Sequence, residues 1–147
     1  MIQDILSGAS KVSMLTAQTI TGNGTDTLSS AADLQGFEGG GLITVQMGNS
    51  GDTLATDLNV QLEVQESADD STYTAVADSD LVGFVDGTND GTFALVDAPA
   101  EDSTAFYAQY VGSKRYVKVN VNLTGNHATG VIIGISCLRL KYKYAPV

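Results

Sequence analysis

Residues 58–67 read LNVQLEVQES, an unbroken alternation of apolar and polar side chains. Leu58, Val60, Leu62 and Val64 fall on one side of an extended chain, and Asn59, Gln61, Glu63 and Gln65 on the other. A helix of 3.6 residues per turn would scatter both sets around its axis, whereas the period of two in a strand sorts them onto opposite faces. RYVKVNVNL, residues 115–123, repeats the pattern: Val117, Val119, Val121 and Leu123 share one face, Tyr116, Lys118, Asn120 and Asn122 the other. CLRLKYKY, residues 137–144, alternates Leu138, Leu140, Tyr142 and Tyr144 with Arg139, Lys141 and Lys143. Strands of this kind have one wet face and one that must be covered. Val60, Leu62, Val64, Val117, Val119 and Val121 are therefore expected to line one core.

Further strands are predicted at 13–20, 42–48, 104–111 and 130–136, with shorter ones near 27–34, 73–77 and 92–96. Between them lie the turn formers GNGTD, EGGG, GNSGD, SADDS, DGTNDG, VGSK and LTGNHATG. About eight to ten short strands without a credible helix predict an all-β, antiparallel β-sandwich or jelly-roll-like fold. A chain of 147 residues that is 43% apolar is long enough to bury a core as one domain. Residues 13–147 are assigned to that domain. Residues 1–12, MIQDILSGASKV, show weak periodicity and are expected to form a short N-terminal arm, with Ile2, Ile5 and Leu6 available to a neighbour.

Cys137, the one cysteine, excludes an internal disulfide and, within GVIIGISCLRL, is expected to be a small buried hydrophobe. The longest apolar runs are far too short to span a bilayer. The start carries an acid and no basic segment, so a secretory signal is not expected. No membrane partner is expected.

Charge is unevenly spread along the chain. All seventeen acids lie between Asp4 and Asp102 with Lys11, giving −16. Beyond them stand Lys114, Arg115, Lys118, Arg139, Lys141 and Lys143, giving +6 and a net −10. Nucleic-acid binding is not expected, because the acidic body would repel a phosphate backbone. Lys118 and Lys141 are expected on the solvent faces of the last strands, where lysines keep sheets soluble and guard edges. The complete segregation of sign also predicts a basic interface, with Lys114, Lys118, Arg139, Lys141 and Lys143 facing an acidic neighbour.

Candidate chemistry is thin. The acids of ESADDSTYTAVADSD, and Asp86 and Asp90 of DGTNDG, lack the D-x-D-x-D-G calcium pattern, and SADDS is an ordinary turn sequence. His127 lies in a Gly-bounded loop without further ligands or a nucleophile, and is expected to be a solvated turn residue. The run Gly39-Gly40-Gly41 precedes a strand, not the helix a phosphate loop needs. No catalytic residue, metal site or cofactor is assigned, and an enzyme is not expected.

VQESADDSTYTAV, answered by YVGSKRYVKVNV, resembles a pattern of small structural proteins from tailed-phage head gene clusters, the capsid decoration, cement or head-stabilisation proteins. The closing GVIIGISCLRLKYKYAPV fits the same resemblance. It implies a virion protein on the capsid surface, partnered by the major capsid protein and by copies of itself as a trimer or dimer, at local three-fold or two-fold positions. A tail or neck component is the alternative within virions. The same residues resemble, more faintly, discoidin-like jelly rolls, with Tyr73 at the position of their Trp and Arg115-Tyr116 in the answering strand. That resemblance implies a carbohydrate-binding module.

Overall fold

A computed structural model of the chain describes residues 8–85 and 89–141. Eleven strands run through them: β1 (Ala9–Asn23), β2 (Asp26–Leu28), β3 (Ala32–Asp33), β4 (Gly41–Ser50), β5 (Asn59–Ser67), β6 (Thr74–Ala75), β7 (Leu81–Val82), β8 (Thr92–Val96), β9 (Ala105–Tyr110), β10 (Tyr116–Thr124) and β11 (Asn126–Leu140). They form a five-stranded sheet, β1-β11-β4-β9-β7, and a second sheet, β2-β10-β5-β6, to which β3 adds on β10 and β8 on β5. Every pairing is antiparallel. The pairs are nested from the outside in, β1 with β11, β2 with β10, β4 with β9 and β5 with β8. A long hairpin rolled so that successive arms alternate between two sheets gives this order, which makes the fold an all-β antiparallel sandwich of jelly-roll type.

The alternation read from 58–65 and 115–123 is the register of the second sheet. Val119 stands opposite Val64, Val121 opposite Leu62 and Leu123 opposite Val60, all fully buried. Ile43, Val45, Ile133, Ile135 and Cys137 close on them from the five-stranded sheet. Burial pushes the Cys137 thiol up to about 12, as befits a packed hydrophobe and not a nucleophile.

Two sequence expectations are displaced. The N-terminal arm does not reach residue 12, because Ala9–Val12 already pair with Cys137–Leu140; residues 1–7, with Ile2, Ile5 and Leu6, lie outside the described residues. Leu138–Leu140, the start of the basic stretch, continue β11 in the same register. Cys137 faces the core, so Arg139 takes the core-facing parity and Leu138 and Leu140 the outer one. The alternation was real, but its faces are exchanged. A one-residue shift exchanges both faces, and the apolar spelling at Leu138 and Leu140 cannot override the register imposed by VIIGISC.

Candidate interaction sites

Where the aliphatic core runs out, polar side chains tie the two sheets together. At the end formed by Tyr110, Ser67, Tyr116 and Leu140, the buried Tyr110 hydroxyl of β9 donates to Glu66 Oε2 of β5 at 2.5 Å. The Tyr110 hydroxyl oxygen in turn accepts the Lys114 backbone N–H at 2.9 Å. Burial and the Glu66 carboxylate push the Tyr110 phenol well above its usual range. Beside it, Arg139 donates from Nη1 to the Asp33 carbonyl and from Nη2 to Ser10 Oγ, with its guanidinium 4.4 Å from the Phe37 ring centroid. Asp33 in turn accepts both Nε and Nη2 of Arg115, at 2.8 and 2.7 Å.

Arg115 and Arg139 thus meet on one aspartate although 24 positions separate them in the sequence. Lys114 is exposed next to Arg115, and Lys141 is exposed two residues beyond Arg139. A groove of ≈ 430 Å³ runs between the Leu34–Gly40 loop, with Phe37 and Glu38, and residues Gly112–Arg115. The structure therefore brings together Lys114, Arg139 and Lys141 of the expected basic interface. It adds Arg115 and Phe37, which sequence reading did not assign to it. Lys118 is not part of this end surface: it lies on the outer face of the second sheet, its Nζ 3.7 Å from the centroid of the Tyr73 ring. Lys143 lies outside the described residues.

At the opposite end of the sandwich the charge has one sign. Asp26, Asp52, Asp57, Asp97, Glu101 and Asp102 stand on strand ends and loops there, and among the described residues no Lys or Arg accompanies them. The cations gather toward the other end of the strands, where Asp33, Glu38, Glu66, Asp69, Asp70 and Asp80 stand among them, so among the described residues one end carries acids alone and the other both signs.

His127 belongs to this acidic end and overturns the solvated-turn expectation. It is fully buried in β11, and its Nε2 lies 3.1 Å from both the Asn59 and Thr124 carbonyl oxygens. Both neighbours are acceptors, so Nε2 carries the hydrogen and donates across to β5 and β10. Nothing in LTGNHATG signalled this, because one acceptor lies on β5, far away in the sequence, and the other is a backbone carbonyl at the end of β10, which no side-chain pattern reports.

The acidic loops are turns held by their own carboxylates. Asp69 accepts the Ser71 and Thr72 N–H groups and the Ser67 hydroxyl. Asp52 accepts the Thr129 and Gly130 N–H groups. These bonds, led by Thr72 and Gly130 respectively, hold both carboxyls below the usual carboxylate range. Arg115 does the same for Asp33, down to about 2 from 3.8. No cluster of three or more His, Cys, Asp and Glu fit for a metal occurs among the described residues. Asp86 lies outside them.

A depressed carboxyl contributes stability that is present above its unfolded pKa and is lost as pH falls through its folded one. The melting temperature is thus expected to hold down to about pH 5 and to fall between about pH 4 and 2. Asp69→Asn should fall less steeply across that window, which a pH series of thermal melts would read. A parallel fall in both proteins would remove Asp69 as a contributor.

The stretches that carry the phage resemblance also meet. In register, Tyr116 faces Ser67, Val117 faces Glu66 and Lys118 faces Gln65. Tyr73 returns from the Asp69 turn to donate its hydroxyl to Asp70 and its ring face to Lys118.

A second concave surface lies on the outer face of the five-stranded sheet. Its register rows run Val82–Gln109–Leu42–Leu138–Lys11, then Tyr107–Thr44–Ser136–Ser13, then Ala105–Gln46–Gly134. Two irregularities in the edge strand β1, between Ser13 and Leu15 and between Leu15 and Gln18, raise its backbone beside the last two rows.

No protein-family model and no curated protein matches the chain. Among solved structures, the SPBc2 prophage-derived protein YomS is similar with a TM-score of 0.43 at 12% identity, over 88% of this chain and 92% of that one. The CBM22-1–GH10 modules of Clostridium thermocellum endo-1,4-β-D-xylanase 10B, complexed with xylohexaose, give 0.37 at 17% identity, over 89% of this chain and 26% of that one. Neither likeness assigns a family or an activity.

Proposed function

We propose that this chain is a non-enzymatic structural protein of a tailed-phage virion, one that binds the outer surface of the capsid and stabilises it. The observation that carries the reading is the joining of the two resembling stretches. They form one unit of paired strands and turn, locked by Tyr73 on Lys118 and by the β5–β10 register, not scattered matches. A protein that binds only the assembled lattice stabilises that lattice by mass action.

The docking surface in this reading is the cation-bearing end, with Lys114 lining the Phe37 groove and Lys141 following Leu140, whose N–H donates to the Gly40 carbonyl at the groove's edge. It would face an acidic patch of the major capsid protein or the acidic end of another copy. Individual exposed pairs there contribute only about 0.2–1 kcal/mol, so their larger effect is to orient the encounter and reject wrong poses. Arg115 and Arg139 are already engaged within the domain and serve to build the surface.

The test adds purified protein to capsids lacking it and measures occupancy and capsid melting across a salt series. Wild-type protein should bind and raise the melting temperature of the capsid. The triple variant Lys114→Gln/Lys141→Gln/Lys143→Gln should fold normally, bind more weakly and depend less on salt. Lys118→Gln, on a different face, should bind as wild type. Absence of wild-type binding would sink the capsid reading; equal binding by the triple variant would sink the cation-bearing end as its docking surface.

A further inference from the structure

We propose that the groove on the outer face of the five-stranded sheet binds a neutral oligosaccharide. The groove measures ≈ 460 Å³ and is open along one side, within the size range of small-molecule sites. It goes beyond the structural role above, since docking through the cation-bearing end leaves this face uncovered.

Charge comes first. In a chain with seventeen acids, none stands in any of the five strands of this sheet. Lys11 is the charged residue lining the groove, at its rim. A cation finds no carboxylate here, and an anionic polymer finds too few positive charges to neutralise a run of phosphates or sulfates. A neutral ligand meets no charge that must be stripped of water.

The chemistry of the surface narrows the class further. The floor between Tyr107 and the β1 wall is polar. The Thr44 and Ser136 hydroxyls lie 2.8 Å apart, and Gln46 stands beside Gly134 in register. These groups keep unused donor and acceptor capacity for ligand hydroxyls. The Tyr107 ring rises opposite Thr44, is 59% exposed, and offers a flat apolar face. A flat ring next to a hydroxyl-and-amide floor matches a pyranose, whose C–H face is apolar and whose rim is polar. The missing side chain at Gly134 lets β1 close over it, since a Cβ there would stand 3.3 Å from Ala17 Cβ, and Leu15–Ala17 thereby form the wall of the groove opposite Tyr107. An extended peptide fits less well, because peptides added to sheets pair with edge N–H and C=O groups, and a sheet face presents none.

The experiment is a ¹⁵N–¹H NMR titration of the full chain with cellohexaose, maltohexaose and chitohexaose in turn, and with a heparin hexasaccharide as anionic comparison. At least one neutral hexasaccharide should shift Gln46, Ala105, Tyr107 and Gly134 in a saturable, dose-dependent way, while the heparin fragment leaves them in place. Tyr107→Ala, a change at an exposed ring that leaves the fold intact, should weaken that binding by about tenfold or more. No shift with any of the three neutral sugars overturns the proposal. So do shifts that survive Tyr107→Ala, or shifts at these residues produced by protein concentration alone, which would make the face a contact between copies. Capsid binding is measured separately, so either reading can fail without the other.

Discussion

Val119→Asp should leave no cooperative thermal transition at neutral pH. Val119 is fully buried in the middle of β10, opposite Val64; the nearby Ser29 hydroxyl already accepts the Val119 N–H and donates to the Ser30 carbonyl, and carries no charge to pair a carboxylate. An unpaired carboxylate there costs several kcal/mol even after relaxation, against a total stability of about 5–15 kcal/mol for a domain. Val119→Ala, which only removes methyl groups, should cost about 1–3 kcal/mol and still fold. Asn122→Asp introduces the same charge on the same strand but on its outer side, and should melt close to wild type. Circular dichroism melts of the three variants read the register directly: a folded Val119→Asp would mean that β10 presents the other face to the core.

His127→Ala should destabilise the domain by about 3–5 kcal/mol, the cost of losing a ring-sized buried side chain. Part of that cost is not cavity. Asn59 and Thr124 would lose the Nε2–H donor that both carbonyls share, at about 1–3 kcal/mol for stranded buried acceptors. His127→Phe separates the two contributions, because it refills the space without restoring a donor. It should recover part of the loss in urea unfolding, with an unchanged m-value. Wild-type stability in His127→Ala would show that the two sheets close at this end without the histidine.

These two residues mark how far the sequence could be read. Val119 was legible because alternation is a local property: LNVQLEVQES and RYVKVNVNL each state their buried face without reference to any other strand. His127 was not, because its burial depends on the packing of β11 against the distant Asn59 and on a backbone carbonyl at Thr124, neither of which a side-chain pattern announces. Arg139 falls between the two. The strand was legible through CLRLKYKY, but which face looks inward was set upstream by Ile133, Ile135 and Cys137, whose packing outweighs a short apolar alternation at a strand end. The β7 strand, Leu81–Val82, went unread because two residues paired with Tyr110 and Gln109 leave no periodic trace.

Charge shows the same division. From the sequence alone came an acidic body and a basic final stretch, together with the all-β class, the main strands and the core valines. All of these follow from composition and from the period of two, which act within a few residues. Tertiary structure decided that the cations gather at one end of the sandwich, that Lys118 stands apart on Tyr73, and that the opposite end is wholly acidic among the described residues. It also decided that five strands without an acid share one sheet and cup a neutral groove. Nested pairing of β1 with β11 and β4 with β9 places residues nearly the length of the chain apart in one row. Which side chains become neighbours there depends on long-range register, and no local pattern of residues encodes it.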